Sequence, residues 1–311
     1  MNGVDELLVG EDALAEMILR AKEERRAIIL AHNYQRPEVQ DIADFVGDSL
    51  GLARQAASTD AEVIVFCGVH FMAETASILS PEKVVLLPDM EAGCPMADMA
   101  GAAQVRKARE EHPGAAVVSY VNTTAAVKAE SDCCCTSSNA VEVVRSVEAE
   151  EVIFVPDRNL AAYVADRVPE KRIIPWDGFC HVHQGIQAEH VLKALEEHPR
   201  AEVIAHPECT REVLALAHHI RSTSGMVDAA AASPAEVFIL ATEAGMIHPL
   251  TKAVPGKRFY PPAREPVCPN MKLTTLTKVL RALETLTPQV RVPEEIRVRA
   301  LRAVERMLAP A

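Results

Sequence analysis

Aromatic residues are scarce, at 4% of 311 positions, and positive charge falls short, with 32 Lys and Arg against 44 Asp and Glu. The formal net charge of −12 repels phosphodiester backbones, so nucleic acid is not an expected partner. No apolar run approaches the roughly 20 residues that a membrane span needs, and no membrane partner is expected. The opening segment, MNGVDELLVGEDALAEM, is acidic and lacks the basic-then-apolar order of a secretory signal. A cytoplasmic location follows as an expectation, and eight cysteines there are not expected to be structural disulfides. They read as buried thiols, metal ligands or reactive thiols. What remains, 49% hydrophobic and 24% charged, is ordinary for a globular protein and excludes disorder, collagen and coiled coil. At about 150 residues per domain the length allows two domains, or three small ones.

The chain repeats itself three times. Short apolar runs ending in polar residues recur as AIILAHNY (27–34), AAVVSYVN (115–122) and AEVIAHPE (201–208). His32, Tyr120 and His206 lie 88 and then 86 residues apart, and two positions later stand Tyr34, Asn122 and Glu208. Ser49, Ser137 and Thr223 sit in hydroxyl-rich turns at matching places. Pro81-Glu82-Lys83, Pro169-Glu170-Lys171 and Pro255-Gly256-Lys257 each precede a further apolar run. Cys94, Cys180 and Cys268 close the units. Within a unit the pattern reads as helix, strand, Ser/Thr-rich turn, helix, second strand (VIVF, VIFV, VFIL), short helix, third strand and cysteine loop. Strands alternating with helices predict an α/β fold with parallel sheets, and runs that are apolar throughout fit strands covered on both faces. The expected architecture is three repeated Rossmann-like αβα domains in pseudo-threefold arrangement around a central site. Their bounds are 1–98, 99–185 and 186–270. Two tail helices in 271–311 are expected to pack back on the first domain.

Ligands of open parallel sheets bind beyond the carboxyl ends of the strands. That places His32 and Tyr34, Tyr120 and Asn122, and His206 and Glu208 at one cavity, with Ser49, Ser137 and Thr223 at nearby helix starts. Such a cavity suits a small, highly anionic substrate, since hydroxyls and free backbone N–H groups bind anions there. The hydroxyls read equally as plain helix caps. Three converging thiols are one short of a closed structural zinc site and fit a [4Fe–4S] cluster with one iron left open. Proline follows Cys94 and Cys268, whereas His181 follows Cys180. Three buried packing thiols are the bland alternative. Cys67 reads as core, Cys209 as pocket wall, and Cys133-Cys134-Cys135 as the turn before Ser137. His181 and His183 read as neighbours of the cluster rather than ligands, with His183 also able to reach substrate. Met72 divides evenly between core and pocket.

The chain resembles the quinolinate synthase family. The resemblance runs in order through AHNYQ (31–35), GDSL (47–50), MEAGCPMADM (90–99), SYVNTTAAVKAESD (119–132), CTSSNA (135–140), PDRNLA (156–161), WDGFCHVH (176–183), AHPEC (205–209), STSGM (222–226) and VCPNMKLTTL (267–276). It implies a transferase of de novo NAD synthesis that condenses iminoaspartate, supplied by L-aspartate oxidase, with dihydroxyacetone phosphate. Quinolinate, phosphate and two waters are the implied products. It further implies that Cys94, Cys180 and Cys268 hold a [4Fe–4S] cluster whose open iron assists dehydration. Substrate-binding residues would be His32, Ser49, Tyr120, Asn122, Ser137, His206, Glu208, Ser222 and Thr223. Tyr34, Tyr120, His206 and Glu208 would serve catalysis, with Tyr34 also gating. Some members carry a further CxxC around the last cluster cysteine; here Pro269, Asn270 and Met271 follow Cys268, so a disulfide switch of that kind is not expected. Another hydro-lyase acting on a different polycarboxylate, or a cluster-based redox or iron sensor, are the competing readings.

Overall fold

The computed structural model describes residues 10–309. Most of the acidic segment before Glu11, and the last two residues of the tail, lie outside the described residues. Among those described, no helix is long and apolar enough to cross a membrane.

Each repeat builds one sheet of four parallel strands. The first holds β1 (Ala27–His32), β2 (Phe45–Gly47), β3 (Val63–Cys67) and β4 (Val84–Leu86). The second holds β5 (Ala116–Tyr120), β6 (Cys133–Cys135), β7 (Glu151–Val155) and β8 (Arg172–Pro175). The third holds β9 (Glu202–Ala205), β10 (His219–Ile220), β11 (Val237–Ala241) and β12 (Arg258–Tyr260). The strand order is the same each time: β2-β1-β3-β4, β6-β5-β7-β8 and β10-β9-β11-β12. The chain leaves β1 for one side of the sheet and then crosses to β3 on the other. Between the ends of those two strands lies the crevice where open α/β sheets bind ligands.

The central strands are buried on both faces, and successive side chains enter opposite layers. Leu30, Ile64, Phe66, Val118, Phe154, Ile204, Phe238 and Leu240 point inward and belong to one apolar cluster shared by all three units. Ile29, Ala31, Val63 and Val65 point outward into a separate layer, as do Val117, Ile153 and Val155 in the second unit and Val203, Ala205 and Ile239 in the third. The sheets therefore face one another across a common core, and each keeps an outer helical layer of its own.

The recurring Lys83, Lys171 and Lys257 have a local reason. Each ammonium reaches the end of a preceding helix and donates to its orphan carbonyls: Lys83 to Ala61 O (3.0 Å) and Thr59 O, Lys171 to Ala149 O (2.9 Å) and Val147 O, and Lys257 to Ala230 O and Ser233 O (both 2.5 Å). Cations are favoured at helix carboxyl ends for this reason.

Two expectations need correction. Each sheet has a fourth, edge strand of two or three residues, where a turn was expected. Cys133–Cys135 forms one of them, paired as Val118↔Cys133, Ser119↔Cys134 and Tyr120↔Cys135. Three residues are too short to show a period in the sequence, and their pairing is set by the open edge of β5. The tail also divides. Helix Leu276–Thr285 packs on the first unit, burying Val279, Ala282 and Leu283 beside Ile18 of helix Glu11–Glu24. Helix Glu294–Leu308 instead lies across the first and second units, against helices His70–Leu79 and Ala125–Lys128 and strand β6. Its buried Ala300, Ala303, Val304 and Met307 cover the edge that β6 would otherwise expose.

Candidate active site

The carboxyl ends of the three sheets converge on one cavity. It is lined by His32, Tyr34 and Ser49 from the first unit, Tyr120, Asn122 and Ser137 from the second, and His206, Glu208 and Thr223 from the third. All nine polar positions picked by the repeat analysis thus meet. Cys94, Cys180 and Cys268 line the same cavity, as do Met72 and His183. Ser222 does not. It is the N-cap of helix Thr223–Ala232, its hydroxyl accepting from Gly225 N–H (3.4 Å), and it faces a neighbouring cleft with Arg221. Asp48 has the same repeat position and caps helix Ser49–Ser58 by accepting from Gly51 N–H at 2.8 Å. Capping falls to these residues, and Ser49 and Thr223, one position on, face the cavity, which Asp48 also lines. The buried Asn33 donates to Thr223 Oγ1 at 2.8 Å and fixes that hydroxyl.

Backbone geometry decides the state of two imidazoles. Nδ1 of His32 accepts from Tyr34 N–H at 3.1 Å, and Nδ1 of His206 accepts from Glu208 N–H at 3.4 Å. An imidazole that accepts at Nδ1 is neutral and carries its proton on Nε2. Burial lowers both groups to about 3, partly opposed by the charge of Glu208. Both are therefore Nε2–H donors at neutral pH; that of His206 meets Ser137 Oγ at 3.1 Å.

Glu208 is the charge at the centre. Its Oε2 lies 2.6 Å from His183 Nδ1 and 3.5 Å from His206 Nδ1. Burial disfavours the carboxylate, but His183, the nearest partner and a hydrogen-bond donor to it, outweighs that and holds Glu208 below the usual carboxylate range. Its Oε1, together with Asn122 Oδ1, is buried without a hydrogen-bond partner among the described residues. On the far side of His183, Nε2 meets Thr242 Oγ1 at 3.0 Å, and Thr242 meets Tyr34 Oη at 2.6 Å. A hydrogen-bonded line therefore joins Tyr34 to Glu208. Burial, and then the charge of Glu208, raise the phenols of Tyr34 and Tyr120 well above their ordinary value, so both remain protonated.

The cysteines divide by exposure. Cys94, Cys180 and Cys268 are half-buried, whereas Cys67, Cys133, Cys134, Cys135 and Cys209 are buried; all eight are free thiols. Burial raises the Cys94 thiol to about 12 and Cys268 upward, and Cys94 and Cys268 sense each other's charge, as do Cys94 and Cys180. Raised in this way the three are protonated thiols, and only a bound cation would hold them as thiolates. Cys180, His183 and Glu208 also place one ligand atom each within 4.8 Å of one another, a set able to hold a metal ion; His181 is not part of it. Sequence reasoning missed Asp157, Thr242 and Glu243. Burial, and then the charge of Glu208, push the carboxyl of Asp157 upward, against the N–H bonds from Leu160, Cys180 and Asn159 that favour its ionised form.

Residues 16–309 match the family model described as quinolinate synthetase A protein. The quinolinate synthase of Methanosarcina barkeri is 58% identical over 298 residues, covering 95% of this chain and 98% of that one. That of Desulforudis audaxviator is 57% identical over 299 residues, covering 96% and 98%. Quinolinate synthase 2 of Methanosarcina acetivorans is 55% identical over 309 residues, covering 99% and 98%.

Proposed function

The chain belongs to the quinolinate synthase family, and we propose that its central cavity joins iminoaspartate to dihydroxyacetone phosphate with loss of phosphate and two waters. It is an enzyme that forms quinolinate for NAD biosynthesis. An L-aspartate oxidase in the same cytoplasm would supply the imine. The observation that carries this reading is the meeting of three free, half-buried thiols with an ionised Glu208 and two neutral imidazoles at one cavity.

The donor set fits a [4Fe–4S] cluster held by Cys94, Cys180 and Cys268, with one iron lacking a protein ligand. The unpartnered Glu208 Oε1 and Asn122 Oδ1 support a polar occupant for the cavity. When bound, the cluster supplies a Lewis-acid position for a hydroxyl or carboxylate in the last dehydration.

The remaining roles belong to the protein. Nε2–H groups of His32 and His206 donate to the substrate carboxylates. Ser49, Ser137 and Thr223, at or near helix amino ends, hold the phosphate with backbone N–H groups. Glu208 is ionised, shielded from water and open at Oε1, so it is the base that removes protons from carbon. Tyr120 and Asn122 orient the substrate beside it. Tyr34 stays protonated and delivers a proton to the departing oxygen. The line through Thr242 and His183 returns that proton from Glu208.

The test is quinolinate formation by anaerobically reconstituted protein given both substrates. Product that vanishes when Cys94, Cys180 or Cys268 becomes Ala supports the reading. No product at full iron and sulfide content would overturn it in favour of another dehydratase or a sensor.

A further inference from the structure

The three cysteine loops are tied down in the same way, and in two units by an additional side chain. The residue two before each cysteine accepts a backbone hydrogen bond from the start of the segment that follows the third strand in chain order. His70 N–H donates to Ala92 O (2.8 Å), Arg158 N–H to Gly178 O (2.8 Å) and Ala244 N–H to Pro266 O (2.9 Å). The residue preceding each of those donors is Val69, Asp157 or Glu243. In the second unit Asp157 Oδ2 accepts the N–H of Cys180 itself at 3.1 Å. In the third, Glu243 Oε1 accepts the N–H of Cys268 itself at 3.0 Å. Both carboxylates are fully buried, at 0% and 1% exposure. Each is fixed by its other oxygen: Asp157 Oδ1 accepts from Leu160 N–H (2.7 Å), and Glu243 Oε2 from Gly245 N–H (2.7 Å). Lys272 adds a contact to Glu243 at 3.0 Å and reaches on to Tyr34 O at 2.5 Å. Val69 has no polar group, and the Cys94 amide has no such carboxylate; there Asn270 Nδ2 donates to Gly93 O at 2.7 Å instead.

From this threefold comparison we propose that Asp157 and Glu243 are positioning residues that seat the thiols of Cys180 and Cys268 for the cluster, an inference resting on the cluster reading above. Fixing the amide of a ligand residue fixes the direction of its Cα–Cβ bond, and hence of its sulfur. Groups that orient metal ligands from behind commonly govern both retention and electronic character of the metal.

Amide isosteres separate this role from helix capping. In Asp157→Asn, Oδ1 keeps the Leu160 bond, while an NH2 group confronts Cys180 N–H, donor against donor. Glu243→Gln does the same at Cys268. Full-length wild type, both single variants and the double variant are loaded anaerobically with ferrous iron and sulfide. Iron and sulfide per chain, the electron paramagnetic resonance of the reduced cluster, and the rate of iron loss to a chelator are then measured. Thr275→Ala, which removes a helix cap on the outer layer, is the control for general destabilisation. The expected result is a loaded cluster in each single variant, an altered resonance, and iron loss at least several-fold faster, with the double variant faster still and the control unchanged. Resonance and release identical to wild type would overturn the proposal, as would equal acceleration in Thr275→Ala. Should one single variant fail to fold, the other carries the same test. Wild type that takes up no cluster would instead refute the cluster reading itself.

Discussion

Gly178 offers the sharpest physical test of the fold around the site. A Cβ at this position would stand 2.4 Å from Pro156 O and 3.2 Å from Met99 Cβ. The nearer atom belongs to the backbone and cannot swing aside, so roughly 1 Å must be found by moving the loop that leads to Cys180. Overpacking of this kind costs about 1–3 kcal/mol. The displaced loop also weakens the 2.8 Å bond from Arg158 N–H to Gly178 O, worth about 1 kcal/mol. Gly178→Ala should therefore destabilise by about 2–4 kcal/mol, which at roughly 2 °C per kcal/mol for a chain of this size lowers the melting temperature by about 4–8 °C. Gly93→Ala is the matched comparison, because its added Cβ meets nothing closer than Glu91 O at 4.0 Å although it adjoins Cys94. Thermal unfolding followed by circular dichroism on cluster-free protein decides the matter. A Gly178→Ala protein melting within about 1 °C of Gly93→Ala would refute the steric reasoning.

Other outcomes follow from the same geometry. Glu208→Gln keeps the shape but loses the base, so turnover should fall by about 10²–10⁴-fold at unchanged iron content; a loss below tenfold in a quinolinate assay would remove Glu208 from that role. His206 is neutral when folded and lowered to about 3, so an unfolded chain binds a proton that the folded one refuses between pH 6.5 and 3. Its share of stability is therefore lost as pH falls through that window, at about 1.4 kcal/mol per pH unit, and His206→Asn should flatten the acid limb of urea midpoints between about pH 6 and 4 by that slope. Cys94→Ala, Cys180→Ala and Cys268→Ala should each abolish cluster loading, whereas Cys209→Ala should load fully and lose only stability. Equal iron content across these four proteins would contradict the division.

Much of the architecture was legible because the chain states it three times. Any one of His32, Tyr120 or His206 is ambiguous alone, yet their shared place in three units predicted a common cavity, and all nine polar positions line it. The edge strands were not legible, since two or three residues show no period and their pairing comes from a neighbour already folded. The same holds for helix Glu294–Leu308, whose apolar stripe says that it must be covered without saying by which unit. Ser222 was misplaced because adjacent hydroxyls look alike until backbone torsion makes one a cap. Asp157 and Glu243 escaped notice for a related reason. Locally they read as ordinary residues at the start of a helical turn, and the cysteines they hold stand 23 and 25 residues further along.

The distribution of one cavity-lining thiol to each unit bears on how the protein is made. During synthesis the first two units emerge with Cys94 and Cys180 but without a closed cavity around them. The third thiol, Glu208 and the wall that excludes water arrive only with the last unit. If these thiols hold the proposed cluster, its capture waits until translation is nearly finished, and a prematurely terminated product has no native-like site for iron. The geometry acts as a check on completeness, enforced by nothing more than the order of the chain.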